Sequence, residues 1–197
     1  MRAYLEPLLG QLGARPAQAL RSGATVRAVP YRFQTARDVA SFLGGLGTVL
    51  SSHASLDAAF ASGGAAPEDR LEAFARLLRA SCGRRSCGLE HLMPLPSSGS
   101  ACKRWRLFLR WVVRPDDGVD LGLWTCLRPC DLIMPVDVHV SRAARQLGLT
   151  RRATVDRRFA LEVTAALRAV CPEDPCKYDF ALARPGILRE EMRGAGK

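Results

Sequence analysis

The sequence predicts an all-α protein, and three observations support this fold class. Apolar residues recur at spacings of three and four, which places them on one face of a helix. Ser, Thr and Asp residues, which cap helix N-termini, precede several of these segments. No stretch alternates apolar and polar residues as a half-buried strand does, and the sequence contains no internal repeat.

Five helices are predicted in the N-terminal half. Residues 3–12 and 16–21 form two short helices. Thr35 and Ser55 are the predicted N-caps of the third and fourth helices. The fifth begins at Pro67, because proline is favoured in the first turn of a helix. The apolar face of the third helix comprises Val39, Phe42, Leu43, Leu46 and Leu50. The basic loop after the fifth helix either reaches a phosphate or is simply solvated.

The most distinctive segment joins a turn to a basic helix. Gly99 gives the turn at 95–100 its backbone freedom, and Ser100 is the predicted N-cap of the helix. The exposed N–H groups at such a turn and helix start form a natural phosphate seat. The alternative, an amphipathic surface helix after an ordinary turn, stays open. The apolar side of this helix contains Trp105, Phe108, Leu109 and Val112, and its basic side contains Lys103, Arg106, Arg110 and Arg114.

Three further helices follow. Asp137 is the predicted N-cap of the first, and a cap carboxylate can also serve chemistry where it faces a cleft. His139, two residues later, is either packed or in contact with a phosphate. Thr154 is the predicted N-cap of a long helix, and a last short helix at 177–183 ends before the Pro-Gly pair at 185–186.

A chain of 197 residues is most simply one domain. We expect this domain to span residues 1–188, with a polar C-terminal tail at 189–197.

The charge indicates a polyanionic partner. The formal net charge is +10, and neutralising phosphates with basic side chains releases counterions from nucleic acid; a merely basic protein is the alternative. Of the 29 basic residues only Lys103, Lys177 and Lys197 are lysines. Because Arg keeps its proton near neutral pH, each internal Lys is a candidate for amine chemistry, unless it persists by chance.

The cysteines indicate a reducing compartment. There are seven, an odd number, and no two form a CxxC pair. No signal peptide and no run of apolar residues long enough to span a membrane is recognisable. We therefore expect free thiols in the cytoplasm and no membrane association. The loose cysteine spacing predicts neither a metal site nor another cofactor.

Two candidates for a substrate pocket remain ambiguous in the sequence. Lys177 either forms an ion pair with Asp174 or Asp179, or lines a pocket together with Tyr178. Trp124 either stacks on a base or fills the core, as most lone tryptophans do.

The combination of these segments resembles the helix-hairpin-helix DNA glycosylase (HhH-GPD) superfamily, which includes endonuclease III. The segments that carry the resemblance are KRWRLFLRWVVR at 103–114, IMPVDVHVSR at 133–142 and DPCKYDFAL at 174–182. They are most similar to an uncharacterised prokaryotic family that is itself similar to the archaeal 8-oxoguanine (GO) glycosylases. The resemblance covers roughly residues 31–186, and the combination is more specific than any one motif.

The resemblance implies a helix-hairpin-helix glycosylase fold with two helical subdomains that flank a cleft. Lys103 falls at the position of the superfamily's nucleophilic lysine and Asp137 at that of its catalytic aspartate. The expected DNA contacts are Ser98, Gly99, Ser100, Arg104, Arg106, Arg110, His139 and Arg142, and the weaker candidates for a base pocket are Trp124, Asp174, Lys177 and Tyr178.

The sequence also departs from the family pattern. Ser97 replaces the first glycine of the usual LPGVG turn, and Lys103 comes four residues after Gly99 instead of two. The cysteine loop that holds the iron–sulfur cluster of endonuclease III is absent. Related chains begin with further helices, so we expect Met1 to be a late start that omits part of the base pocket.

The resemblance thus implies a base-excision glycosylase with AP lyase activity, acting as a monomer on double-stranded DNA in the nucleoid. Desolvation and cationic neighbours are expected to keep Lys103 neutral, so that it attacks the sugar of a flipped nucleotide. The expected lesion, 8-oxoguanine, rests on family similarity alone. Two alternatives remain: a non-catalytic DNA-binding protein, and a monofunctional glycosylase in which Asp137 activates water.

Overall fold

A computed structural model describes residues 2–194, and these residues confirm the all-α class. Apart from one isolated bridge between Tyr31 and Gln34, the described residues have no β structure. The helices are α1 (Arg2–Leu12), α2 (Pro16–Arg21), α3 (Ala36–Ser52), α4 (Leu56–Ala61), α5 (Pro67–Ser81), α6 (Cys87–Leu92), α7 (Lys103–Val113), α8 (Val138–Gln146), α9 (Arg157–Val170) and α10 (Asp179–Gly194). Short 3₁₀ helices occur at Pro96–Ser98, Pro129–Asp131 and Pro175–Tyr178.

The chain forms two compact units, Met1–Leu95 and Pro96–Lys197. We call them the N-terminal unit and the C-terminal unit. The first contains α1 to α6, and the second contains α7 to α10 with the three 3₁₀ helices. The prediction of a single domain over residues 1–188 stays a prediction. The predicted tail at 189–197 begins inside α10, and its last three residues lie outside the described part of the chain.

The N-terminal unit packs α2, α4 and α5 around α3. Its core includes Phe60 of α4 and Phe74 of α5, whose rings meet edge to face with their centroids 5.6 Å apart. Gly47 allows α3 to approach α2 closely, because a Cβ atom at this position would collide with the carbonyl group of Leu20. The predicted caps Thr35 and Ser55 are confirmed, since each side chain accepts a hydrogen bond from the first turn of its helix.

Asp38 connects the starts of α3 and α6. Neither this role nor α6 itself was predicted from the sequence. Its carboxylate accepts hydrogen bonds from the N–H and hydroxyl groups of Thr35 and from the hydroxyl of Ser86, the N-cap of α6, and it pairs with Arg84 at 3.0 Å. Burial opposes ionisation, but these hydrogen bonds and the charge of Arg84 outweigh it and lower the pKa of Asp38 below its ordinary value. The ionised carboxylate therefore fastens α3 to α6.

The core of the C-terminal unit fixes the segment that leads to Asp137. Met134 is fully buried among residues of α8, α9 and α10, and its N–H donates to the hydroxyl of Thr164 at 2.9 Å. Val136 and Val140, on either side of Asp137, lie in the same core. The position of Asp137 is thus set by buried neighbours in the chain.

Three predicted helix boundaries in the C-terminal unit are wrong. The N-cap of α7 is Cys102 instead of Ser100, and the N-cap of α9 is Asp156 instead of Thr154. The Pro-Gly pair at 185–186 does not end the last helix, because α10 continues to Gly194.

The described residues contain no helix that is both long and apolar enough to cross a membrane. The seven cysteines are free thiols, and Cys82, Cys102 and Cys176 are buried.

Candidate functional site

Two residues that are 34 positions apart in the sequence meet in the C-terminal unit. Lys103 is the first residue of α7, and Asp137 is the N-cap of α8. The Nζ atom of Lys103 lies 3.6 Å from Oδ2 of Asp137. The two residues expected to act as nucleophile and catalytic carboxylate therefore form an ion pair between two helix N-termini.

The turn before α7 determines where Lys103 lies. Gly99 has a φ of +78°, and Cys102, which is buried, has a φ of +51°. The hydroxyl of Ser100 accepts a hydrogen bond from the N–H of Cys102 at 3.1 Å, which stabilises the turn instead of the helix start. The carbonyl oxygen of Gly99 accepts from the N–H of Arg157 at 2.8 Å and fastens the turn to the start of α9.

The two carboxylate oxygens of Asp137 have different partners. Oδ1 accepts a hydrogen bond from the N–H of Val140 at 2.8 Å, as an N-cap does. Oδ2 faces the amine of Lys103. The side chain is 23% exposed, and the N-terminus of α8 favours a negative charge at this position. One oxygen thus holds the helix start while the other is available to the site.

The desolvation expected for Lys103 is not found, because its side chain is 47% exposed. The amine reaches solvent and Asp137 at the same time. The N-terminus of α7 adds the positive end of a helix dipole beside it, together with the exposed Arg104.

The residues expected to contact DNA divide into an exposed and a buried group. Ser98, Gly99, Arg104 and Arg142 are exposed, and Ser100 is half-buried. The expectation that Arg106 and Arg110 lie on a DNA-facing surface is wrong, since they are only 4% and 8% exposed.

His139 is half-buried, and its imidazole packs against α10. A Cβ atom at Gly186 would overlap the His139 ring, so only glycine fits here without a shift of the helices. The structure favours the packed interpretation of His139.

Near the end of α7, Arg110 and the C-cap residue Arg114 pair with buried and half-buried aspartates. Arg110 pairs with Asp179 at 2.7 Å and with Asp120 at 3.3 Å. Arg114 pairs with Asp120 as well, and its Nε donates to Asp174 at 2.8 Å. The side chain of Asp120 is fully buried. This aspartate–arginine network connects α7 to the loop after it and to the start of α10.

The network and the candidate site are electrostatically coupled. Burial raises the pKa of Asp179 above its ordinary value, and the negative charges of Asp137 and Asp120 act in the same direction, whereas Arg110 opposes them. Burial, together with Asp174 and Asp179, raises the pKa of the Cys176 thiol to about 12. Cys176 is buried, and its thiol stays protonated near neutral pH, as expected for a structural cysteine.

Three of the four candidates for a base pocket make structural contacts, and the fourth, Lys177, is exposed. Trp124 is only 9% exposed and packs edge to face on Phe108 at 5.2 Å, as expected for a core residue. Asp174 belongs to the aspartate–arginine network, and Tyr178 packs against the core. Lys177 is exposed, and the predicted ion pairs with Asp174 or Asp179 are replaced by those of Arg114 and Arg110.

Sequence reasoning missed this network. The available signal was the four-residue spacing of Arg110 and Arg114 at the end of the mainly apolar segment 103–114. Two cations on one helical face near its buried side require acidic partners.

A family model described as "Protein of unknown function (DUF2400)" matches residues 2–188. The chain belongs to this family. No curated protein and no solved structure matches it.

Proposed function

We propose that this DUF2400 protein is a DNA base-excision glycosylase with AP lyase activity and a helix-hairpin-helix glycosylase fold. The observation that carries the proposal is the 3.6 Å approach of the Lys103 amine to the Asp137 carboxylate. It supports the proposal because the chemistry requires an amine and a carboxylate at one sugar, and because the resemblance independently selects these two residues.

Lys103 is the nucleophile in this mechanism. The ammonium group of the Lys103–Asp137 ion pair first gives up a proton to water. The resulting neutral amine attacks C1′ of the flipped nucleotide, the C1′–N bond to the base breaks, and the base leaves with the bonding electrons and takes up a proton. Ring opening and loss of the amine protons give a Schiff base between Nζ and C1′. Loss of a C2′ proton then expels the 3′ phosphate by β-elimination.

Asp137 stabilises the positive charge that develops on the sugar when the glycosidic bond breaks. Its Oδ2 is suited to this role, because Oδ1 is occupied by the N–H of Val140 and keeps the carboxylate in place. The 47% exposure of the Lys103 side chain in the free protein means that water must leave as the nucleotide enters.

Charge and exposure support DNA as the partner. The net charge is +10, and Ser98, Gly99, Arg104 and Arg142 are exposed. The N-terminus of α7 carries the positive end of a helix dipole, which attracts a backbone phosphate. The protein would act as a monomer in the nucleoid on an oxidised purine, with 8-oxoguanine as the lesion that the resemblance suggests.

The test is borohydride trapping on duplexes that contain an abasic site or 8-oxoguanine. Borohydride reduces the Schiff base and leaves protein and DNA covalently joined. The variants are Lys103→Gln and Asp137→Asn, and Lys177→Gln is the matched control, because Lys177 is also exposed. We expect Lys103→Gln to abolish the adduct, Asp137→Asn to slow base release, and Lys177→Gln to leave both unchanged.

Other outcomes would contradict this mechanism. An adduct that survives Lys103→Gln places the nucleophile elsewhere. Base release without an adduct in the wild type identifies a monofunctional glycosylase that uses Asp137 and water. DNA binding without base release identifies a non-catalytic DNA-binding protein.

A further inference from the structure

The N-terminal unit contains a pocket of about 330 Å³ that four arginines line. Arg76 and Arg79 come from α5, and Arg84 and Arg85 come from the loop before α6. Within the described part of the chain, Glu90 is the single acidic residue in the same lining. Four arginine residues therefore border one concave surface, where positive potential is focused.

Arg79 brings a positive charge to this pocket, and it has no carboxylate partner among the side chains that the structure describes, those of residues 4–186 and 188. Its Nε donates to the carbonyl oxygen of Met93 at 2.7 Å, and its Nη2 donates to the carbonyl oxygen of Glu90 at 3.1 Å. Both acceptors are neutral backbone groups at the end of α6. These bonds hold the guanidinium in place and leave its charge available to an anion.

Arg84 is held by a different anchor. Its Nη1 lies 3.0 Å from Oδ1 of the buried Asp38, and its side chain is 37% exposed. An arginine fixed by a carboxylate behind it still presents its other N–H groups forward, as a planar fork with five donors allows. Arg79 and Arg84 are thus pre-oriented, which lowers the entropic cost of binding an anion.

The remaining two arginines are in exposed ion pairs that an anion can replace. Arg85 pairs with Glu90 at side-chain exposures of 92% and 44%, and Arg76 pairs with Glu72 at 60% and 21%. Exposed pairs contribute little to stability. A phosphate oxygen offers the same charge-assisted hydrogen bond as the carboxylate that it displaces.

We infer that this arginine pocket binds backbone phosphates of double-stranded DNA, as a second contact that is separate from the Lys103–Asp137 site. Guanidinium forks match phosphate oxygens, and every cation in the pocket lining is an arginine. The choice of DNA as the polyanion rests on the proposed function, whereas the anion site itself rests on the geometry of the N-terminal unit. The basic loop before α6, which contributes Arg84 and Arg85, then reaches a phosphate.

The experiment measures the affinity of the full chain for a short undamaged duplex by fluorescence anisotropy over a series of salt concentrations. The first variant is Arg79→Gln, which removes the charge that has no carboxylate partner. Because Arg79 also holds the end of α6, the second variant is Arg76→Gln with Arg85→Gln, two side chains that are more than half exposed. The control is Arg15→Gln with Arg27→Gln, which removes the same formal charge from exposed positions outside the pocket.

In a plot of log affinity against log salt concentration, affinity falls as salt rises. The variant that combines Arg76→Gln with Arg85→Gln is expected to make this slope less steep by roughly 2, because each neutralised phosphate contributes about 0.9 to its magnitude. The control is expected to change the slope by less than about half of this. Borohydride trapping is run in parallel. If salt-dependent DNA binding is weakened in the pocket variants, the inference is supported even when no adduct forms. In that case only the proposed function fails.

Three results would overturn the inference. The first is equal slopes for the pocket variants and the control. The second is a wild type that does not bind the duplex. The third is equal inhibition of DNA binding by excess inorganic phosphate in the wild type and in the pocket variants. The pocket would then contribute nothing specific to the DNA complex.

Discussion

Replacing Arg110 with methionine tests the aspartate–arginine network. Methionine has a similar length and no charge, so the variant leaves Asp179 without its partner at 2.7 Å and leaves Asp120 with Arg114 alone. Both carboxylates are nearly inaccessible, at 9% and 0% side-chain exposure. Removing one partner of a buried pair leaves an uncompensated charge, and we expect the free energy of unfolding to fall by about 3–5 kcal/mol at neutral pH.

The pH dependence of this loss is the sharper part of the prediction. Burial already raises the pKa of Asp179, and without Arg110 the pKa rises further. A carboxyl group whose pKa is higher in the folded state binds its proton more tightly when folded. Its contribution to stability is therefore largest at low pH and is lost as the pH rises through the folded-state pKa.

The assay is urea unfolding, monitored by circular dichroism, at neutral pH and near pH 5. The loss in Arg110→Met should be smaller at the lower pH. Arg104→Met is the control, because Arg104 lies on the same helix and is exposed, and it should change stability by no more than about 0.5 kcal/mol. If the free energy of unfolding falls by less than about 1 kcal/mol, or if the loss grows on acidification, then Arg110 does not stabilise Asp179 and Asp120 in their ionised forms.

Two further substitutions test other parts of the fold by the same unfolding assay. Asp38→Asn should destabilise the protein by about 3 kcal/mol at neutral pH, because it removes the charge that Arg84 and Ser86 bind. Because the pKa of Asp38 is lowered in the folded state, its contribution to the free energy of unfolding is present above the unfolded-state pKa and is lost as the pH falls through the folded-state pKa. The loss of stability in Asp38→Asn should therefore become smaller in acid. A loss that persists in acid contradicts the assignment of an ionised Asp38. Gly186→Ala should lower the free energy of unfolding by about 1–3 kcal/mol, because the added Cβ overlaps the His139 ring. Gly44→Ala in α3 is the control: no atom lies near the added Cβ, so this variant should raise the free energy of unfolding by about 0.5–1 kcal/mol. Similar effects of the two substitutions would contradict the packing of His139.

The sequence predicted the helices where the signals were local. Thr35 caps α3 with a side chain that needs only its own first turn, and Asp38 completes the capping box three residues later. The start of α7 was missed because Cys102 has a positive φ, which is uncommon for a residue with a side chain. The start of α9 was missed because Thr154 and Asp156 are both good caps, and their local signals do not discriminate between them.

The errors at the C-terminus and in the site have tertiary causes. A Pro-Gly pair predicts the end of a helix, yet α10 continues through it, and Gly186 is needed there because His139 packs against it. The approach of Lys103 to Asp137 joins two residues that are 34 positions apart, and no helical periodicity could have predicted it. The burial of Arg106 and Arg110 depends on acidic residues distant in the sequence, which the pattern of α7 alone does not contain.

The two carboxylate oxygens of Asp137 have different partners, and this makes the Asp137→Asn variant useful for structural work as well as for kinetics. Asparagine caps helices about as well as aspartate, so Asp137→Asn keeps an oxygen for the N–H of Val140 and removes only the charge that faces Lys103. Under the proposed function, such a variant would retain its folded shape while base release is slowed. Mixed with an intact lesion-containing duplex, it would offer a longer-lived complex for crystallisation, in which the nucleotide beside Lys103 could be seen before the glycosidic bond has broken.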